Sequence, residues 1–140
     1  MSADDFEELV DTFEFMDDWE DRYRYVIDLG KKLPPMDDAL KNAATKVDGC
    51  ASQVWLSPEM ETGPDGRRLT FLGDSDAMIV RGLIAILRIY LSGKTPEFIA
   101  KADALGAFAR LGLDQHLSAQ RSNGLRAMIE RLRSLAAAAS

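Results

Sequence analysis

The sequence predicts an α+β fold, a small three-stranded antiparallel sheet flanked by helices, and three observations carry that expectation. Apolar residues recur at helical spacing near both ends of the chain. Short stretches rich in Val, Trp, Leu and Phe occupy the middle. A cluster of Pro, Gly and acidic residues separates two of those stretches. With 140 residues, 46% hydrophobic and 29% charged, the chain has the size and balance of one domain over residues 1–140, and it carries no internal repeat or linker.

Each element follows from local pattern. Ser2, Asp4 and Asp5 offer a helix start, with Phe6, Leu9, Val10 and Phe13 following at i, i+3, i+4, i+7. Asp17 and Asp18 offer caps for a second helix, whose Trp19, Tyr23, Val26, Ile27 and Gly30 share a face until Lys31, Lys32 and Pro34-Pro35 end it. Ser52 to Ser57 and Arg68 to Gly73 read as antiparallel strands joined by a longish hairpin, Pro58 to Arg67. Alternation puts Val54 with Leu56, and Leu69 with Phe71, on one face, and a third short strand is expected around Lys46 to Asp48.

Helical periodicity returns after Asp74. Ala77, Val80, Leu83, Ile84, Leu87 and Leu91 make a wide stripe, the mark of the most buried helix, which stops at Ser92-Gly93. Asp74 or Ser75 is expected to cap it. Thr95-Pro96 starts a short helix, another runs from Ala104 to Leu111 and ends at Gly112, and Ser118 caps the last, whose Leu125, Met128, Ile129, Leu132 and Leu135 face the core. Its end, Ala136 to Ala139, is expected to fray.

Charge and composition exclude several functions. The net charge is −6, so the surface field repels phosphate backbones and anionic lipid; neither nucleic acid nor a membrane is an expected partner. No apolar run is long enough to span a bilayer, and the first 21 residues hold ten acids and no base, unlike a targeting peptide. A cytoplasmic location is expected. One cysteine, Cys50, and one histidine, His116, make neither a disulfide nor a four-ligand zinc or iron–sulfur site.

Three enzyme-like fragments have simpler readings. Gly93-Lys94-Thr95 lacks the glycine five positions earlier that a phosphate-binding loop needs, where Arg88 stands, and it follows a helix. Ser75, Asp114 and His116 occur in the chain order of an esterase with a Gly-Asp-Ser nucleophile, but Asp and His two residues apart build a triad awkwardly. His116 alone is assigned no chemistry. Cys50 differs: a lone cysteine is by default a small buried hydrophobe, yet it follows Gly49 at an expected turn between short strands, where a partner can reach it.

These residues belong to a longer pattern. Trp19-Glu20-Asp21-Arg22-Tyr23, Ile27 to Pro34 (IDLGKKLP), and Val47-Asp48-Gly49-Cys50-Ala51-Ser52-Gln53-Val54-Trp55 are followed by Gly73-Asp74-Ser75-Asp76-Ala77 and Ile79 to Leu83 (IVRGL). Thr95-Pro96 comes next, then Gln115-His116-Leu117 with Arg121, Gly124 and Leu125. In this, over nearly the whole chain, the sequence closely resembles the SufE family of sulfur-acceptor proteins, which includes the CsdE-type paralogues. The most specific block is Gly-Cys-x-Ser-Gln-Val-Trp followed about twenty residues later by Gly-Asp-Ser-Asp-Ala. Asp48 and the Pro58 to Arg67 hairpin depart from the family pattern and bear on partner preference.

The resemblance implies three antiparallel strands flanked by helices, a fold similar to U-type cluster scaffolds. It also implies a carrier that takes sulfane sulfur from a SufS- or CsdA-type cysteine desulfurase onto Cys50 as a persulfide, and stimulates that enzyme. The carrier then passes sulfur to a SufB-containing scaffold for iron–sulfur cluster assembly. Pyridoxal phosphate belongs to the desulfurase, and no cofactor or metal is expected in this chain. A homodimer is left open. Asp74, Asp76 and Arg121, with Gly49 and His116, are the residues the family pattern offers for docking or loop support; for the two aspartates and the arginine, capping and ordinary surface charge are the alternatives.

A thiol of pKa ~8.5 is only a few per cent ionised at neutral pH, so local charge and access set its rate. Asp48 would raise that pKa if close and Lys46 would oppose it. A sulfur carrier gains from keeping Cys50 partly shielded by apolar groups, with Gly49 as a hinge that opens on docking. Two other functions stay open from the residues: a regulator of a desulfurase that carries no sulfur, and the Gly-Asp-Ser esterase.

Overall fold

After α1 (Ala3–Glu14), Asp18 starts α2 (Trp19–Lys31) by accepting a hydrogen bond from Glu20 N–H at 2.9 Å. The computed structural model describes residues 3–50, 52–64 and 66–139. Ser2, the Asp4 side chain and Ala51, named above, lie outside the described residues. The stripe of α1, Phe6, Leu9, Val10 and Phe13, is buried, and a two-pronged Arg110–Glu7 bridge at 2.7 and 2.8 Å ties that helix to α5 (Ala104–Arg110).

The alternating stretches form β1 (Val54–Gly63) and β2 (Gly66–Ser75), a hairpin with Val54, Leu56, Leu69 and Phe71 buried on one face. Its strands are longer than expected. Most of the predicted Pro58 to Arg67 loop is paired, up to Gly63 opposite Gly66. Pro58 is tolerated because Leu56, two residues before it, turns its N–H away from β2 to Thr45 O; Pro58 N therefore faces the outer edge and removes no ladder bond.

Among the described residues the sheet has two strands, not three. The expected strand at Lys46 to Asp48 shrinks to one bridge, Lys46 to Trp55, made by Val47 N–H to Val54 O at 2.8 Å and Leu56 N–H to Thr45 O at 2.9 Å. It cannot lengthen, because a side-chain turn built on Asn42 precedes it and the Asp48-Gly49 turn follows it.

Behind the sheet lies α3 (Met78–Leu91), nine of whose residues are buried. Asp74 and Ser75 do not cap it. Both stay in β2, paired with Trp55 and Val54, and the helix begins after Ala77, which supplies no side-chain cap. A Cβ on Gly82 would fall 2.2 Å from Val26 O and one on Gly30 2.6 Å from Gly82 N, so α2 and α3 touch backbone to backbone where only glycine fits.

Thr95 caps α4 (Pro96–Lys101) through Phe98 N–H, and Gly112, at φ 74°, turns the chain after α5. Ser118 then accepts from Arg121 N–H at the start of α6 (Ala119–Ala139). Leu125, Met128, Ile129 and Leu132 of α6 are buried, with Leu135 half-buried. The alanine end does not fray as expected: Ala136 is buried and Arg67 donates to Ala139 O at 2.9 Å.

Candidate functional site: the Cys50 loop

The chain leaves the Lys46–Trp55 bridge after Val47 and returns to it at Val54, and the hydrogen bond from Val47 N–H to Val54 O closes a loop at its base. Gly49 takes φ 90°, a left-handed conformation that strains other residues, and so presents Cys50 to α6. Asp76 fixes the far end of the loop. Its carboxylate accepts from Gln53 N–H at 3.0 Å while its own N–H donates to Gln53 O at 3.3 Å.

On the other side stands α6. The Cys50 thiol donates to Gly124 O at 3.6 Å, and a Cβ on Gly49 would lie 3.4 Å from that of Ala127. One helical step further, Arg131 donates to Lys46 O at 2.5 Å and more weakly to Ala44 O at 3.5 Å. Cys50 borders a cavity of about 310 Å³, walled by Val54, Val80, Leu83, Leu125 and Met128 and by the polar Ser118 and Arg121.

This surrounding sets the acidity of the sulfur. Burial pushes the Cys50 thiol up, and the Asp48 carboxylate pushes it further the same way; Lys46 does not reverse the direction. At neutral pH the resting group is the thiol, which is a weak nucleophile and a poor target for oxidants.

The other residues singled out in the sequence fall into two groups. Arg121 shares the cavity with Cys50, and Asp76 holds the loop end. Asp74 does neither: it bridges Lys41 at 2.9 Å and Arg81 at 3.1 Å. Burial alone would raise the Asp74 carboxyl, but hydrogen bonds from Lys41 and from Ser75 N–H, with both positive charges, hold it below the usual carboxylate range. Lys41 also lies 5.4 Å from the Trp55 ring centre, so this network clasps residues 38–41 to both β1 and β2.

His116 stacks on Trp19 with ring centres 3.6 Å apart, and its backbone carbonyl accepts from the Tyr23 hydroxyl. It anchors the segment that leads into α6. The triad of the esterase reading is not assembled: Ser75 is buried and its hydroxyl accepts from Ala77 N–H, while the His116 ring is engaged with Trp19.

Lys41 and Arg131 were not singled out from the sequence. Arg131 lies seven residues after Gly124, on the same helix face, but its target is a backbone carbonyl, which leaves no mark in the sequence.

The model of a family described as "SufE: Fe-S metabolism associated domain" matches residues 7–136. The chain belongs to the SufE family. Membership places it in iron–sulfur metabolism. An uncharacterised SufE-like protein of Rhizobium meliloti (strain 1021) is 52% identical over 128 residues, 91% of each chain. One from Rhizobium etli is 51% identical over 127 residues, 91% of this chain and 86% of the relative. The solution structure of a hypothetical protein from Thermus thermophilus superposes with a TM-score of 0.77 at 20% identity, covering 99% of this chain and 98% of the other, and shows the same fold. Among the described residues, no helix is long and apolar enough to cross a membrane, and no three His, Cys, Asp or Glu residues converge as a metal site.

Proposed function

We propose that this SufE-family protein is a cytoplasmic sulfur carrier whose acceptor atom is Cys50 Sγ. The observation that supports this most is the placement of the sole cysteine: on a glycine-hinged loop, half-buried, beside a cavity large enough for an added sulfur. The donor is a SufS- or CsdA-type cysteine desulfurase, whose pyridoxal phosphate releases the sulfur from cysteine. The acceptor is a SufB-containing scaffold.

The transfer is an exchange without net oxidation. The Cys50 thiolate attacks the terminal sulfur of the donor persulfide, a new S–S bond forms on Cys50, and the donor cysteine leaves as a thiolate. An acceptor thiolate then takes that sulfur and returns Cys50 to its starting state. Because the first step frees the donor cysteine for another turnover, carriage and stimulation of the desulfurase are one event.

Shelter has a purpose in this scheme. Small cytosolic thiols reduce an exposed persulfide, so burial of Cys50 between encounters prolongs its life, and docking opens the loop about Gly49. Arg121 lies at the cavity, where it meets the docked donor, and Asp76 keeps the loop root in register. Asp74 and His116 support the loop's surroundings from further away.

The test is transfer of radiolabelled sulfur from cysteine through the desulfurase. Wild-type protein accumulates label that thiol reductants remove, and Cys50→Ser accumulates none while keeping its circular dichroism spectrum. Label retained in Cys50→Ser, or absent from wild type, overturns the reading. If wild type stays unlabelled while desulfurase turnover still rises, the chain is instead a regulator that carries no sulfur.

A further inference from the structure

The loop that presents Cys50 and the chain leading into it face Gly124, Ala127 and Arg131 on one side of α6, and the chemistry differs along that face. Gly124 meets the loop tip through one weak thiol hydrogen bond, which a turning loop loses at little cost, and Ala127 faces Gly49, where only an added Cβ would reach it, at 3.4 Å. Arg131 grips its base. There a charged donor meets the Lys46 carbonyl at 2.5 Å, one residue before the pair that closes the loop, and reaches toward the Ala44 carbonyl. A charged hydrogen bond is the strongest of these contacts, and it lies outside the cavity, about two helical turns from the sulfur.

We propose that Arg131 is the latch of the Cys50 loop, a positioning residue that sets how often the thiol leaves its shelter. The guanidinium fixes where Lys46 enters the bridge to Trp55, and so fixes the direction in which Asp48 and Gly49 leave it. With the latch closed, Cys50 points at Gly124; with it open, Gly49 turns Cys50 away from α6 and the sulfur reaches solvent. The proposal concerns access to the thiol and holds without sulfur carriage. Its consequence for transfer, a persulfide less protected when the latch is lost, rests on the carrier reading.

A second arginine on the same helix supplies the control. Arg133 donates to Ala102 O at 3.0 Å, tying α6 to the joint between α4 and α5 and making no contact with the Cys50 loop. Truncating either side chain removes a charged bond to a carbonyl, but only Arg131 touches the residues that lead into the Cys50 loop, whereas Arg133 bonds Ala102 and Glu130.

The experiment is the alkylation rate of Cys50 by iodoacetamide on the full chain, measured across about pH 6 to 9, which spans the ordinary thiol range. Arg131→Met is expected to react about tenfold faster than wild type, the change that loss of one charged hydrogen bond produces in a local opening equilibrium. Its pH midpoint should lie at or below that of wild type. Arg131→Lys, which keeps a charged donor, should fall between the two, and Arg133→Met should react at the wild-type rate.

Charge alone predicts the opposite. Taking a cation away from a site that already holds Asp48 disfavours the thiolate, so a slower rate with a raised midpoint overturns the latch, as does an unchanged rate in Arg131→Met. Equal acceleration in Arg133→Met also overturns it, because general loosening of α6 would then suffice. Should Arg131→Met fail to fold, Arg131→Gln read by hydrogen exchange of the 47–53 amides decides between the same outcomes. Sulfur transfer appears nowhere in these readouts, so failure of the latch leaves the carrier reading standing, and the reverse holds.

Discussion

The α2–α3 contact and the Cys50 loop on α6 both rely on glycine, and they use it in opposite ways. At Gly82 the missing side chain lets two helices approach until a Cβ would sit 2.2 Å from Val26 O, and the seam is sealed by fully buried Val26, Leu83 and Leu87. At Gly49 the missing side chain gives the backbone a positive φ, and the nearest obstacle to a Cβ is 3.4 Å away. Separating the first pair exposes a core. Moving the second loses a few hydrogen bonds. Of these two regions, the one that carries Cys50 has the weaker hold on its neighbours.

Substitutions sharpen that contrast, the largest effect coming from the seam. Gly82→Ala drives a methyl into backbone atoms that cannot yield and is expected to cost about 3 kcal/mol or more in urea unfolding. Cys50 alkylation in the protein that remains folded should be unchanged; a rate that rises with this substitution would mean the two regions are not independent.

At the loop root the expected effect is smaller. Asp76→Ala removes the acceptor for Gln53 N–H and should cost about 1 kcal/mol, with Cys50 alkylation rising several-fold less than in Arg131→Met. Asp76→Asn retains an acceptor oxygen and should fall near wild type in both measurements. Loss of stability with no change in alkylation would show that Asp76 supports the sheet rather than the loop.

The smallest effect is a pH dependence. Because the folded Asp74 carboxyl lies below its ordinary value, its stabilisation is complete above about pH 4 and is lost as the pH falls through the lowered value. Asp74→Asn should therefore flatten the acid limb of the stability curve and leave Cys50 reactivity at neutral pH untouched. An acid limb that matches wild type would show that the Lys41 and Arg81 bridges contribute nothing measurable.

How much of this was legible in the sequence depended on whether an element is defined by local pattern. The stripes of α1, α3 and α6 and the caps at Asp18, Thr95 and Ser118 follow from spacing and capping chemistry alone. The strand ends did not follow, because the ladder runs through Pro58 on a side where no N–H is needed, and no local signal distinguishes that proline from a loop proline. Asp74 and Ser75 look like caps until Trp55 and Val54 claim them as strand partners.

The candidate site divided in the same way. Cys50 was evident from its turn and its family motif, and Arg121 does share its cavity. Asp74 and His116 proved to be bound into neighbouring networks, since a family motif does not separate residues at the sulfur from those that hold its frame. Arg131 and Lys41 were not legible, because one grips a carbonyl and the other completes an ion pair formed only by the tertiary fold.

The most direct measurement of the central claim is the mass of the tryptic peptide covering residues 47–67 after the protein is incubated with a cysteine desulfurase and cysteine, without reductant. A gain of about 32 Da, one sulfur atom, is expected, localised to Cys50 by fragmentation and reversed by dithiothreitol. A peptide that keeps its original mass while the desulfurase is demonstrably turning over would contradict it.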